Sequence, residues 1–170
     1  RYRVNQRAGT YWYHTHPHGR TGEEIYHGLS GLYIVEDEKE KGLNLPSGEF
    51  ELPLIIQDRR FDKEKNLIYK EVPQDNNGVL GDVVLVNSTP FPYKEVKNTK
   101  YRLRVLNSSS ARTYKLAFEG IDSFTLIGTD CGLLEEPIEV RDVLIAVAER
   151  IDIVVDFKDK KIGDEVVLKT

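Results

Sequence analysis

Two imidazoles set two residues apart are the part of this sequence best suited to chemistry. They lie in Gly9-Thr10-Tyr11-Trp12-Tyr13-His14-Thr15-His16-Pro17-His18-Gly19, a run rich in aromatic and threonine residues that reads as a β-strand entering a turn. Side chains on a strand alternate faces, so His14 and His16 are expected to point the same way. Neutral imidazole is the commonest protein ligand for copper, zinc and iron, and two on one face make half of a bridging or shared metal site. Three of the chain's four histidines fall within these five residues. The same pattern also fits a solvated histidine-rich turn that picks up metal adventitiously. A third reading is a zinc hydrolase site, which adds a further His, Asp or Glu and an open coordination position. Cys131, the only cysteine, has no histidine near it in sequence and is expected to be a small buried packing residue. His27 reads as a packing or surface residue of a short helical turn.

The elements that must position these groups are predominantly β. The first 36 residues read as two strands around a turn and a short helix, with loose alternation from Tyr2 to Tyr13 and an apolar run from Leu32 to Val35. Thr21-Gly22-Glu23-Glu24 has the form of a capping box, which predicts a helix over 22–28 ended by glycine. Glu36-Asp37-Glu38-Lys39-Glu40-Lys41 is expected to be a solvated link. From Phe50 onward, short strands are predicted at 52–57, 67–69, 82–86, 101–107, 113–118, 124–129, 143–147, 151–157 and 165–168. Turn signals separate them, including Asp75-Asn76-Asn77-Gly78 and Asn107-Ser108-Ser109-Ser110. This spacing, without a long 3.6-period segment, favours a β-sandwich over an α/β fold. Glu149-Arg150 reads as a turn anchor or structural salt bridge.

Composition narrows the function. The chain has 170 residues and a net charge of −4, with both signs interspersed, which disfavours a nucleic-acid surface. No segment approaches the ~20 apolar residues that span a bilayer. One cysteine allows no internal disulfide and leaves the compartment open. There is no methionine, and Arg1-Tyr2-Arg3-Val4 reads as the middle of a strand, so the chain is expected to be a fragment. Two strands of an incomplete unit would leave unpaired edges, so the isolated chain is expected to self-associate.

Arg7 to His16, followed by Gly31-Leu32-Tyr33-Ile34-Val35-Glu36-Asp37, resembles the end of the first cupredoxin domain of multicopper oxidases, a family that includes laccases, bilirubin oxidases and bacterial cuprous oxidases. The resemblance continues through Leu52-Pro53-Leu54-Ile55-Ile56-Gln57-Asp58-Arg59, Val84-Leu85-Val86-Asn87, Tyr101 to Asn107 and Ala148 to Phe157, and so covers essentially the whole chain. It implies an all-β fold: a cupredoxin-like Greek-key β-sandwich preceded by a partial cupredoxin domain with a short helix. The implied division is 1–36 as the C-terminal part of the first domain, 37–49 as linker, and 50–170 as a second, metal-free domain. It further implies that His14 and His16 each ligate one copper of a coupled type 3 pair. In the family the trinuclear cluster takes eight histidines from four His-x-His motifs, and this chain carries one such motif. His18 matches an extra histidine that is not a ligand in the family. The type 1 copper would need a His-Cys-His run, which Cys131 does not provide.

Two functions follow. In the first, the parent protein couples one-electron oxidation of phenols, pigments or metal ions to reduction of dioxygen to water, with copper as cofactor and the remaining first-domain and third-domain portions as partners; the isolated chain is inactive. In the second, the chain is a non-catalytic cupredoxin-like module whose histidines bind copper or zinc weakly or not at all. The resemblance also implies an extracytoplasmic, periplasmic or secreted, location.

Overall fold

The computed structural model describes residues 4–69 and 78–170. Tyr2 and the turn residues 75–77 lie outside the described residues. The chain opens with a hairpin, β1 (Gly9–His14) paired antiparallel to β2 (Ser30–Val35), with α1 (Thr21–Tyr26) in the connection. A single-turn helix α2 (Glu38–Lys41) and a 3-10 turn at Gly48–Phe50 lead into β3 (Glu51–Arg59). There follow β4 (Val83–Val86), β5 (Thr89–Pro90), β6 (Lys100–Asn107), β7 (Tyr114–Glu119) and β8 (Phe124–Thr129). The last four strands are β9 (Gly132–Val140), β10 (Asp142–Ile145), β11 (Arg150–Asp156) and β12 (Val167–Lys169).

The strands from β3 onward form two sheets, one of seven in the order β5-β4-β3-β6-β11-β8-β9 and one of three in the order β10-β7-β12. β3 and β6 run parallel, whereas the other pairs are antiparallel. From β6 onward the chain passes repeatedly between the sheets, as in a Greek-key sandwich. Alternation explains the core. Tyr101, Leu103 and Val105 of β6 and Ile151, Ile153 and Val155 of β11 share one face and meet Leu116 and Ile145 of the smaller sheet, all of them buried. Each aliphatic side chain so enclosed is worth roughly 1.5–3 kcal/mol relative to exposure.

The opposite face of β6 is charged, yet it is also buried. Arg104 lies directly across the ladder from Asp152 on β11, and the two approach to 3.1 Å. Arg102 donates to the same Asp152 carboxylate at 2.5 Å. Glu40 of α2 accepts from Arg104 at 2.8 Å and also pairs with Arg102, while Glu51 at the start of β3 pairs with Arg104. Burial weighs against the Arg104 cation, but Asp152, Glu51 and Glu40 outweigh it and hold its pKa above the ordinary value. Charges are removed from water at high cost unless paired and hydrogen-bonded, so this cluster ties the hairpin segment to the sandwich.

A second attachment holds α1. Tyr26 is fully buried and its hydroxyl accepts the Arg60 backbone N–H at 2.7 Å. The Arg59 guanidinium lies 4.5 Å from the Tyr26 ring centre, and it donates to Ile25 O at 3.2 Å and to Gln57. Burial lowers the Arg59 pKa. Beside it, Asp58 accepts Gly81 N–H at 2.7 Å and Arg112 Nε at 2.8 Å. Any Cβ at Gly81 would collide with the Arg59 backbone.

Several sequence expectations are corrected. The charged run at 36–41 is not simply solvated, because Glu40 is 7 % exposed and serves the arginine cluster. Thr21 does not cap α1. Its hydroxyl donates to Pro17 O at 3.0 Å, Arg20 occupies the N-cap without a side-chain bond, and the helix runs Thr21–Tyr26. The strand expected at 67–69 is a single bridge between Leu67 and Phe61. β9 was not anticipated, since Glu135, Glu136, Pro137 and Glu139 interrupt its apolar pattern with charge and a proline. Arg150 pairs with Asp130 at 3.1 Å, and Glu149 accepts the Ala146 N–H at 2.6 Å, so both anchor turns.

Removing Asp152 takes a carboxylate from two buried guanidinium groups at once and leaves them to share Glu40 and Glu51. Asp152→Ala is expected to lower unfolding stability by about 3–5 kcal/mol, read from urea denaturation. A loss under about 1 kcal/mol would show that solvent already screens the cluster.

Candidate metal centre

The hairpin places the histidines. β1 pairs with β2 up to His14, which lies across from Ser30, and the Thr15 N–H reaches Leu29 O at 3.4 Å. Pro17 offers no N–H, and the chain turns at 18–20 with Gly19 at φ +75. The strand therefore ends at His14 rather than continuing through His16. The rings nevertheless remain neighbours, with centroids 5.6 Å apart and planes at 33°. The Trp12 ring also lies against His14, with centroids 4.5 Å apart and planes at 32°. His14 is half-buried and His16 exposed.

His14 Nδ1 lies 2.7 Å from the Thr15 carbonyl oxygen. A carbonyl oxygen only accepts, so Nδ1 carries the hydrogen and Nε2 keeps its lone pair. This is the tautomer that ligates a metal through Nε2, oriented by a hydrogen bond from the other ring nitrogen. The donor set therefore fits a borderline metal such as copper. Beside it, Tyr13, His14, Thr15, Gly28, Leu29 and Ser30 line a cleft of about 330 Å³.

The remaining candidates are elsewhere. His18 is exposed in the turn after Pro17. His27 is exposed at the C-cap of α1, where its Nδ1 lies 2.8 Å from Glu23 O. Cys131 is exposed, not buried, because it occupies the tight turn between β8 and β9 where its side chain has no core to enter. Among the described residues no group of three or more His, Cys, Asp and Glu side chains is placed to hold one metal ion. The further ligand of a zinc hydrolase thus does not accompany His14 there.

Sequence reasoning missed the contacts that hold this centre in place. Asp152, Arg104 and Arg150 converge on Thr10 of β1, and Ser30 Oγ bonds Ser108 Oγ at 3.0 Å. The available signal was the charge at alternate positions of two otherwise apolar strands, Arg102 and Arg104 in one and Asp152 in the other.

A sequence profile described as multicopper oxidase matches residues 54–164. The chain belongs to the multicopper oxidase family. A second profile of the same description matches residues 1–40, which include His14 and His16. The laccase of Bacillus subtilis is 38% identical, with 98% of this chain and 34% of that protein covered. Cell division protein FtsP of Escherichia coli is 39% identical over 96% of this chain and 34% of its own length. In three dimensions, the McoA multicopper oxidase of the hyperthermophile Aquifex aeolicus superposes with a TM-score of 0.91 at 46% identity, covering 98% of this chain and 38% of that chain. The chain thus spans about a third of the length of these relatives. The fold is the all-β, cupredoxin-like sandwich of this family. The family itself is named for copper-dependent oxidation. Among the described residues no helix is long and apolar enough to cross a membrane.

Long-range 1H–15N correlation of the histidine rings is expected to show His14 as the Nδ1–H tautomer at neutral pH. A dominant Nε2–H form would refute the donor assignment to Thr15 O.

Proposed function

We propose that His14 and His16 are two ligands of the type 3 copper pair of a multicopper oxidase, each ligating one copper. The observation that carries this reading is the His14–Thr15 hydrogen bond. It leaves Nε2 ready to bind metal within a hairpin that matches the multicopper oxidase profile. Residues 1–36 then form the C-terminal part of a first cupredoxin domain, 37–49 a linker, and 50–170 a second domain that holds no copper, since it contains no histidine. The chemistry that bound copper supplies in such an enzyme is one-electron oxidation of phenols, pigments or metal ions and reduction of dioxygen to water. This chain's own contribution is to hold His14 in its ligating tautomer, with His16 beside it, fixed relative to the sandwich. The parent acts outside the cytoplasm in this reading. Its remaining first-domain and third-domain portions complete the cluster.

The relative named cell division protein FtsP, as similar as the laccase, supports a second reading: a cupredoxin-like structural module that binds copper or zinc weakly or not at all. Copper titration of the purified chain separates the two. Under the first reading the chain binds Cu(II), His14→Ala/His16→Ala abolishes that binding, and no dioxygen is consumed with a phenolic substrate, because four histidines fall short of a trinuclear cluster. Weak or absent binding by the unsubstituted chain favours the second reading. Oxygen uptake by the isolated chain would overturn the division of labour between domains.

A further inference from the structure

The sandwich grips the strand that carries His14 at one particular residue. Thr10 is 1 % exposed and lies four residues before His14 on β1. Strand side chains repeat their direction every second residue, so Thr10, Trp12 and His14 share a face. The Thr10 hydroxyl donates to Asp152 Oδ1 at 2.5 Å and accepts from Arg104 Nη1 at 2.8 Å. Its carbonyl accepts from Arg150 Nε at 3.0 Å, and Arg150 is itself fixed to Ala148 O at 2.8 Å and to Asp130. Side chain and backbone of the same residue are thus both tied to β6 and β11.

The other attachment lies beside the histidine. Ser30 is the register partner of His14, and its hydroxyl bonds that of Ser108 at 3.0 Å. The Ser108 N–H in turn donates to Ile56 O at 2.8 Å, at the centre of the larger sheet. His14 is therefore held between an attachment upstream on its own strand and one directly across the ladder, with the Trp12 ring stacked between Thr10 and the imidazole in sequence. A slip of one residue would turn Tyr11 into the polar pocket and swing His14 to the outer face.

We propose that Thr10, with Asp152, Arg104 and Arg150 of the sandwich, acts as a positioning residue for the metal ligand His14, setting the direction of its Nε2 through the register of β1. The proposal rests on the assignment of His14 and His16 as copper ligands. It gives the histidine-free second unit a direct part in shaping the metal centre.

The test is titration of the purified chain with Cu(II), followed by electron paramagnetic resonance and visible absorption. Thr10→Val keeps the shape but removes the hydroxyl, leaving Asp152 and Arg104 short of a partner. It is expected to weaken Cu(II) binding about tenfold, the lower range seen when support around a metal ligand is lost, and to alter the copper hyperfine pattern. Thr10→Ser is expected to restore both. Should Thr10→Val fail to fold by circular dichroism, Ser30→Ala releases the second attachment and is expected to shift affinity and spectrum in the same sense. A folded variant with only a lowered thermal midpoint, and with parental affinity and spectrum, overturns the proposal. Cu(II) binding that persists unchanged in His14→Ala/His16→Ala instead overturns the ligand assignment beneath it.

Discussion

Arg104 and Asp152 face each other across β6 and β11, and the rest of the molecule is arranged around keeping that pair out of water. Two arginines and three carboxylates share the space, drawn from α2 and from the beginning of β3 as well as from the two strands. In such an enclosure each charge is tolerable only while its partners are present. The hairpin, α2 and the larger sheet are therefore committed to one arrangement. An apolar interface of equal area would hold them together with less demand on register.

That requirement explains why β6 is buried on both faces. Its inward residues Tyr101, Leu103 and Val105 form the sandwich core, and its other face receives the hairpin through Arg102 and Arg104. The same arrangement is repeated on a smaller scale at α1, where Arg59 lies over Tyr26 and contacts the Ile25 carbonyl. Both attachments use arginine, whose planar group can donate in several directions and also stack on a ring. The histidine-bearing hairpin is thus fixed to its neighbour at its base and near its tip, and the histidines inherit that fixity.

Much of the sandwich was legible because alternation is visible in the chain itself. Tyr101-Arg102-Leu103-Arg104-Val105 and Ile151-Asp152-Ile153 show their apolar faces directly, and the strands over them begin and end within a residue of expectation. The two-residue spacing of the histidines was equally visible, but the strand that was to carry both ends at His14, because Pro17 and the turn after it break the ladder. What stayed hidden depends on distant partners: the Thr10 hydroxyl and the Asp152 carboxylate meet across 142 positions, and the charge at alternate strand positions does not say which residue will pair with it. Thr21 shows the converse failure, in which a valid local motif lost its hydroxyl to a nearby carbonyl. Cys131 was misjudged because residue preference says little about a turn that projects its side chain outward.

The edges of the seven-stranded sheet bear on its behaviour in a crowded solution. One edge, β5, is only two residues long and ends in Pro90, so it offers a neighbouring strand almost no ladder to extend. The other, β9, is long but carries Glu135, Glu136 and Glu139 together with Pro137, which repel an incoming copy and withhold a donor. Growth by edge-to-edge strand addition is thereby blocked at both ends. The hairpin's outer face instead presents Tyr11, Tyr13 and Tyr33. A surface of that kind favours side-chain docking over fibril-like extension, so the sheet stays finite even where the hairpin is sticky.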